Sequence, residues 1–347
     1  MLPEIKYLKK IACSNFMRLD FPHKISYAVT YRCNLRCKMC HIWGKKPVEE
    51  LSLDQVERFF AKSNRFSWVG ITGGEPFLRE DIAEVVKIII DHCPDLTAVH
   101  FATNGTMTNK IGASVEKILA HRKVKLLFTL SIDGPSSLHD EIRGVEGTWL
   151  KCVATFKRLR AMKSVQARIG TTLSHLNFDK FHETFLALKE VYPLLRFDDF
   201  TINIFHRSSL YYENTALPEL DRANIIKAIE KILELDKDSF TLNNFLRRRY
   251  LKLYKKYAHS NKCPLRCQAL SSSCLLEPQG DIYPCGIFPQ RIANVLEHDY
   301  DLEKIWSLPA TKNLSMKCMR SECPSCWTPC DAYSAIAGSL GRFDLWR

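Results

Sequence analysis

The sequence predicts an α/β protein built on a parallel sheet with crossover helices, followed by a small cysteine-rich C-terminal unit. Three observations point there. From residue 24 onward, short β-rich runs alternate with runs of helical period, the signature of strands joined by crossover helices. The strand-like runs are nearly continuous in apolar character, as in a sheet buried on both faces. The cysteines are unevenly spread: Cys33, Cys37 and Cys40 form one run, and Cys263, Cys267, Cys274, Cys285, Cys318, Cys323, Cys326 and Cys330 crowd the tail.

The elements follow in order. Residues 1–22 read as a basic N-terminal extension. KISYAVTY (24–31) is a strand by its β-branched and aromatic content. LSLDQVERFFAKS (51–63) is a helix, with Ser52 and Gln55 at capping-box spacing. SWVGIT (67–72) is a strand and EDIAEVVKIIIDHC (80–93) a helix. TAVHFAT (97–103), KLLFTLSI (125–132), ARIGTTL (167–173) and DFTINIF (199–205) are the remaining strands, with helices over 108–121, 147–162 and 178–191. These runs make a domain over 23–212. A polar, helix-rich bridge (213–262) leads to the tail (263–347), where EPQGDIYPC reads as a hairpin turn that sets Cys285 beside its neighbours.

Composition narrows the class. The 347 residues are 46% hydrophobic and 25% charged, as in ordinary globular proteins. No run of 18 apolar residues spans a membrane, and the N-terminus lacks a signal peptide's apolar stretch, so a cytoplasmic protein is expected. In a reducing compartment, clustered cysteines mean metal or catalysis rather than disulfides. Cys13, Cys93 and Cys152 stand alone and read as packing residues. The net charge of +12 is partly concentrated in RRRYLKLYKKYAHSNK (247–262). A solvated helix face is the plainer explanation, and an anionic partner the sharper one. No nucleic-acid motif supports the latter, and a membrane surface facing 1–20 and 243–262 is a further option.

In parallel α/β folds the carboxyl ends of the strands carry the site. Strand one runs into the three cysteines, strand two into TGGEP (72–76), strand three into TNGT (103–106) and strand four into SIDG (131–134). Three thiolates on one loop hold three irons of a four-iron cubane and leave the fourth open, and an open position marks a catalytic metal site. Its expected occupant chelates through an amine and a carboxylate. Gly73 and Gly74 let such a ligand approach closely, and Glu75 accepts from an ammonium. Asn104, Ser131 and Asp133 suit a carboxylate and a ribose. Alternatives stay open: His41 completing a zinc site with the cysteines, GGEP as a plain turn, and Ser131 and Asp133 as helix caps.

C-x3-C-x2-C leaving the first strand, with GGEP after the second, resembles the radical S-adenosylmethionine (SAM) superfamily. The resemblance implies a partial (β/α)6 barrel. It implies a [4Fe–4S] cluster on Cys33, Cys37 and Cys40 whose open iron chelates SAM, and reductive cleavage to a 5′-deoxyadenosyl radical. Gly73, Gly74, Glu75 and Pro76 would line the methionyl amine, and Ser131 and Asp133 match ribose-contacting positions. Met39 stands where the family often has an aromatic residue, its backbone beside adenine. SIDGPSSLHDEIRGVEGTW (131–149) is similar to the corresponding stretch of peptide-modifying and sulfatase-maturing members.

The tail resembles the SPASM/twitch extension of such enzymes. Cys267-x12-Gly280-x4-Cys285 fits its opening, and the final C-x3-C fits its later pattern. Cys318-x4-Cys323-x2-Cys326-x3-Cys330 departs from the extension's usual spacing, and no cysteine follows Cys330. The resemblance implies one or two auxiliary [4Fe–4S] clusters, at least one including Cys267, Cys285 and Cys330. Structural zinc is the alternative. The expected substrate is a small molecule, a sugar or a nucleotide-linked compound that is oxidised or epimerised, because no leader-binding module has room before residue 24. The alternatives are a peptide-modifying maturase and a non-catalytic electron-transfer protein. A flavodoxin or ferredoxin would be the reductant. His41, Tyr283 and Asp281 are the acid–base candidates.

Overall fold

A computed structural model describes residues 2–236 and 241–339. Helix α1 (Pro3–Ser14) precedes strand β1 (Lys24–Ala28). There follow α2 (Leu53–Lys62), β2 (Trp68–Thr72), α3 (Ile82–His92), β3 (Ala98–Thr103), α4 (Thr108–His121) and β4 (Leu126–Ser131). Then come α5 (Ser136–Arg143), α6 (Thr148–Arg160), β5 (Val165–Leu173), α7 (Phe181–Val191) and β6 (Phe200–Ile204). Each strand of this set lies parallel to its neighbours in the order β6-β5-β4-β3-β2-β1. The helices pack in sequence, α2 on α3, α3 on α4 and α4 on α6, as same-handed crossovers along one sheet require.

Local chemistry sets these elements. Ser52 and Gln55 form the capping box that starts α2, and Val56, Phe59 and Phe60 turn its apolar face inward. Inside the sheet, Phe101 and Phe128 stack with ring centroids 4.7 Å apart. The short helix α5 had no counterpart among the expected helices. Its signals are Pro135 at its start and Gly144 just past its end, the latter left-handed at φ 69°.

The C-terminal part consists of α8 (Arg222–Leu235), α9 (Leu242–Ser260), β7 (Ser273–Leu276), β8 (Asp281–Tyr283), β9 (Ala293–Asn294), α10 (Leu302–Ser307), α11 (Pro309–Met319) and α12 (Pro329–Gly338). β7 pairs in parallel with the free edge of β1, and β8 and β9 extend it antiparallel. The result is an open nine-stranded sheet ending in β6 and β9, so the barrel is partial. The hairpin marked by EPQGDIYPC therefore continues the barrel sheet.

Several cations of the basic stretches are used internally. Lys6 and Lys10 both reach Asp95, at 2.7 and 3.2 Å. Arg18 donates to the carbonyls of Leu270 and Trp306. In α9, Arg247 is 1% exposed and pairs with buried Asp236 at 2.7 Å, while also donating to the carbonyls of Phe197 and Phe200. Buried carbonyls and a buried carboxylate need donors, and these cations provide them. Among the described residues no helix is long and apolar enough to cross a membrane.

Candidate active site

The chain leaves β1 into a loop that turns alternate side chains in opposite directions. Cys37 and Met39 are buried and Cys33 and Cys40 half-buried, whereas Arg32, Asn34, Arg36 and Lys38 face outward. Backbone bonds pin the loop from two sides. The amides of Arg36 and Lys38 donate to the carbonyls of Arg143 and Ile142 at the end of α5, at 3.0 and 2.8 Å. His41 N donates to the Tyr212 carbonyl, and Asn214 Nδ2 to the Met39 carbonyl. Burial pushes the Cys33 thiol up to about 11 and Cys40 up to about 12. Such thiols become ligands when a metal displaces their protons.

The GGEP segment lies directly against this loop. Gly74 N donates to the Thr30 carbonyl and Glu75 N to the Arg32 carbonyl, both at 2.8 Å. A Cβ on Gly73 would sit 2.2 Å from the Thr30 oxygen, and one on Gly74 2.2 Å from the Arg32 oxygen. The two glycines allow a close approach to the cysteine loop itself. Tyr211 locks the same turn. Its hydroxyl bonds Thr72 Oγ1, Gly73 N and the Gly73 carbonyl, at 2.8, 2.9 and 2.9 Å. Pro76 is buried in the following 3-10 turn.

Glu75 is fully buried and braces the end of β3. Its carboxylate accepts from Thr103 Oγ1 at 2.8 Å, Asn104 N at 2.8 Å and Phe77 N at 3.2 Å. Burial raises it to about 7 against the pull of those donors. Three of its roughly four acceptor positions are occupied, which leaves little for the ammonium assigned to it. Asn104 in turn links TNGT to the cysteine loop through Asn34, its Nδ2 donating to Asn34 Oδ1 at 2.9 Å.

Ser131 closes β4 half-buried, its carbonyl facing the Cys152 thiol. Asp133, the position expected to face a ribose, is engaged within the protein. It is 0% exposed, accepts from Thr172 N at 2.8 Å, and meets Arg143 Nη2 at 2.5 Å. His139 is pulled down to about 3 by burial, and its neutral Nδ1 accepts from Asp133 N. Burial opposes the charge on Arg143, yet Asp133 and Cys37 outweigh it and hold the guanidinium protonated above its usual range. Met39's carbonyl accepts from Asn214 Nδ2 at 2.9 Å.

In the tail, Cys263 and Cys267 contact each other, as do Cys318 and Cys323; Cys267 donates to Cys263 and Cys318 to Cys323, which pulls Cys263 down to about 7 and Cys323 down to about 6. Cys326 feels Cys285 and Cys263, and Cys285 feels Cys323. Cys330 opens α12 and is exposed. Cys274 lies apart from these contacts. It faces Ile25 across β7 and β1 and is buried in the main apolar core, so it packs as a hydrophobe. Tyr212 feels Cys40 together with Cys326 and Cys330, which brings the two cysteine groups into one neighbourhood.

A cleft of about 480 Å³ opens beside Cys33, between Tyr31, Trp43 and Val48. Lys45 lines it and lies 4.0 Å over the Tyr31 ring. Of the acid–base candidates, Asp281 is tied to Arg291 at 2.6 Å, and His41 Nδ1 faces the Glu213 carbonyl. Tyr283 packs at the edge of the patch that holds Cys33 and Cys40. Among the described residues no three His, Cys, Asp or Glu side chains close on a single ion. Arg143, Asn34, Tyr211 and Asn214 went unassigned in the sequence. Of these, Asn34 lay within the cysteine run and Arg143 within the SIDGPSSLHDEIRGVEGTW run, whereas Tyr211 and Asn214 lay in no stretch that carried a signal.

Residues 27–188 match the family described as the Radical SAM superfamily. The chain carries a domain of that superfamily. It is 23% identical over 329 residues to the antilisterial bacteriocin subtilosin biosynthesis protein AlbA of Bacillus subtilis, covering 90% of this chain and 68% of AlbA. It is 25% identical over 307 residues to the AdoMet-dependent heme synthase of Methanosarcina barkeri, 82% of either chain. In fold it is similar to Streptococcus suis SuiB, solved bound to S-adenosylmethionine and to precursor peptide SuiA. The TM-score is 0.61, with 90% of this chain and 70% of SuiB covered at 20% and 19% identity. The protein is a radical SAM enzyme with a cysteine-rich C-terminal region, and its cofactors are [4Fe–4S] iron–sulfur and SAM. The residues present fit them. Three thiols share one loop, their protons are displaceable, and the loop is braced from α5, GGEP and the Tyr211 segment.

Proposed function

We propose that this radical SAM enzyme modifies a peptide, with Cys33, Cys37 and Cys40 holding the SAM-binding cluster. Cys263, Cys267, Cys285, Cys318, Cys323, Cys326 and Cys330 would supply the ligands of one or two auxiliary clusters. The observation that carries the peptide reading is the likeness to AlbA, a bacteriocin biosynthesis protein by name, along 90% of the chain. SuiB's capture with a precursor peptide supports it. The small-molecule expectation rested on the lack of room for a leader-binding module before residue 24, but a peptide can be held by any groove that takes an extended segment. The cleft beside Cys33, with its Tyr31 and Trp43 walls, suits one.

When bound, the cluster and SAM supply a 5′-deoxyadenosyl radical that takes a hydrogen atom from carbon. The chain's residues do the holding. Arg143, Ile142, Tyr212 and Asn214 fix the cysteine loop. Tyr211 and the two glycines set GGEP against it, and Glu75 fixes the ends of β2 and β3 together. Arg32, Arg36, Lys38 and Lys46, exposed on the loop and just after it, suit an acidic reductant such as a flavodoxin or ferredoxin.

The test is 5′-deoxyadenosine formation from SAM under dithionite, with the anaerobically reconstituted chain and the Cys33/Cys37/Cys40→Ala variant as control. Pools of synthetic peptides and of small sugars, nucleotides and tetrapyrroles are added separately. Stimulation by peptides with loss of hydrogen from the peptide mass is expected. Stimulation by small molecules alone would replace this reading with the one that the heme synthase likeness favours.

A further inference from the structure

Arg143 ends α5, and its guanidinium is the cation turned toward the triad. Nη1 lies 3.6 Å from Cys37 Sγ, and Nη2 lies 2.5 Å from Asp133 Oδ2. The side chains of Arg143 and Asp133 are 11% and 0% exposed, so water screens neither strongly. Of the loop's own cations, Arg36 donates to the backbone carbonyls of Cys33 and Leu35, at 3.1 and 2.9 Å, and not to a sulfur. Arg32 pairs with Glu50, Lys38 with Glu141, and Arg36 lies 5.0 Å over the exposed Trp43 ring. Asp133 is held from the far side by Thr172 N, so its carboxylate cannot swing away from the guanidinium. The backbone of the same short segment carries the loop, with Arg36 N and Lys38 N bonded to the Arg143 and Ile142 carbonyls.

We propose that the Arg143–Asp133 pair positions Cys37 and sets the reduction potential of the iron–sulfur site on the cysteine loop. The inference rests on the reading of Cys33, Cys37 and Cys40 as its ligands. A reduced cluster carries one more negative charge than an oxidised one. A guanidinium donating to a ligand sulfur stabilises the reduced form, since hydrogen bonds to sulfur and local charge set cluster potentials. The neighbouring carboxylate, buried beside it, opposes that effect. The pair therefore acts as a balance. Removing the cation makes the site harder to reduce, and removing the anion makes it easier.

The experiment is an EPR-monitored redox titration of the full-length, anaerobically reconstituted chain. The signal followed is the one that is absent from the Cys33/Cys37/Cys40→Ala variant. Arg143→Gln is expected to lower the midpoint, and Asp133→Asn to raise it. Each shift is expected to reach about tenfold in the reduction equilibrium, which is 59 mV for a one-electron couple. The double variant is expected to return near the wild-type value. Should Arg143→Gln release its iron, Arg143→Lys takes its place and is expected to shift the midpoint in the same direction by less. Shifts of one sign in both single variants, or no shift in either, would overturn the proposal, because a purely structural brace has no reason to act with opposite signs. If the triple alanine variant keeps every signal and its full iron, the ligand reading fails first. If it loses one cluster while the midpoints stay put, only the Arg143–Asp133 inference fails.

Discussion

Alanine at Gly74 tests how closely GGEP is seated on the cysteine loop. The new Cβ would stand 2.2 Å from the Arg32 oxygen and 2.6 Å from the Tyr31 oxygen, both backbone atoms. Ordinary contact begins near 3.4 Å, so the Arg32 carbonyl has to retreat by about 1.2 Å. That movement breaks the 2.8 Å bonds from Gly74 N to Thr30 and from Glu75 N to Arg32. Two hydrogen bonds at about 1 kcal/mol each and about 1–3 kcal/mol of overpacking give a loss of about 3–5 kcal/mol. Arg32 precedes Cys33, so the displacement reaches the triad, and misplacement of about 1 Å near a reacting centre costs about 100-fold in rate. Thermal melting and 5′-deoxyadenosine formation are measured on Gly74→Ala beside Gly44→Ala. A Cβ on Gly44, in the same region, meets nothing within 4 Å. The control is expected to match the wild type. A Gly74→Ala protein that melts with the wild type and forms 5′-deoxyadenosine at its rate would refute the reasoning.

Other outcomes follow from buried groups. Glu75 ionises near 4.5 when unfolded and near 7 when folded, so the folded state binds the extra proton between those values. Its contribution is present below about pH 4.5 and falls by ~3 kcal/mol as pH rises through 7; urea denaturation should lose this slope in Glu75→Gln, and an unchanged slope counts against it. Cys274→Ala is expected to keep its iron, whereas Cys285→Ala loses about four irons per chain if it ligates a [4Fe–4S] cluster; iron and sulfide analysis decides, and iron loss from Cys274→Ala would return that residue to the ligand set. Arg247→Ala strands Asp236 in the interior and is expected to cost about 3–5 kcal/mol, whereas Lys252→Ala on the exposed side of α9 stays within about 0.5 kcal/mol. Melting curves of equal midpoint for the two would show that α9's cations are merely solvated.

Much of the scaffold was legible because it is written in local patterns. The strands of the barrel and the order of cysteines, GGEP, TNGT and SIDG along its rim needed only periodicity and spacing. The capping box at Ser52 and Gln55 formed as its spacing indicated. The helix α5 was missed because eight residues between Pro135 and Gly144 carry too few turns for a clear apolar period.

The partners of side chains were not legible. Asp133 follows β4 as a ribose contact would, yet it is closed off by Arg143 and Thr172. Cys274 stands in a tail full of thiols, yet β7 inserts beside β1 and turns it into the core. The charge run in α9 reads as surface until Arg247 is seen under Asp236. Sequence alone determined which chemical groups this protein carries and in what order along the chain, because turn chemistry, helical period and cysteine spacing act over a few residues. Tertiary structure decided which of them meet. Arg143 and Cys37 are 106 residues apart, and only the packing of α5 onto the β1 loop brings a guanidinium to that sulfur, in an interior where each buried charge must find its partner.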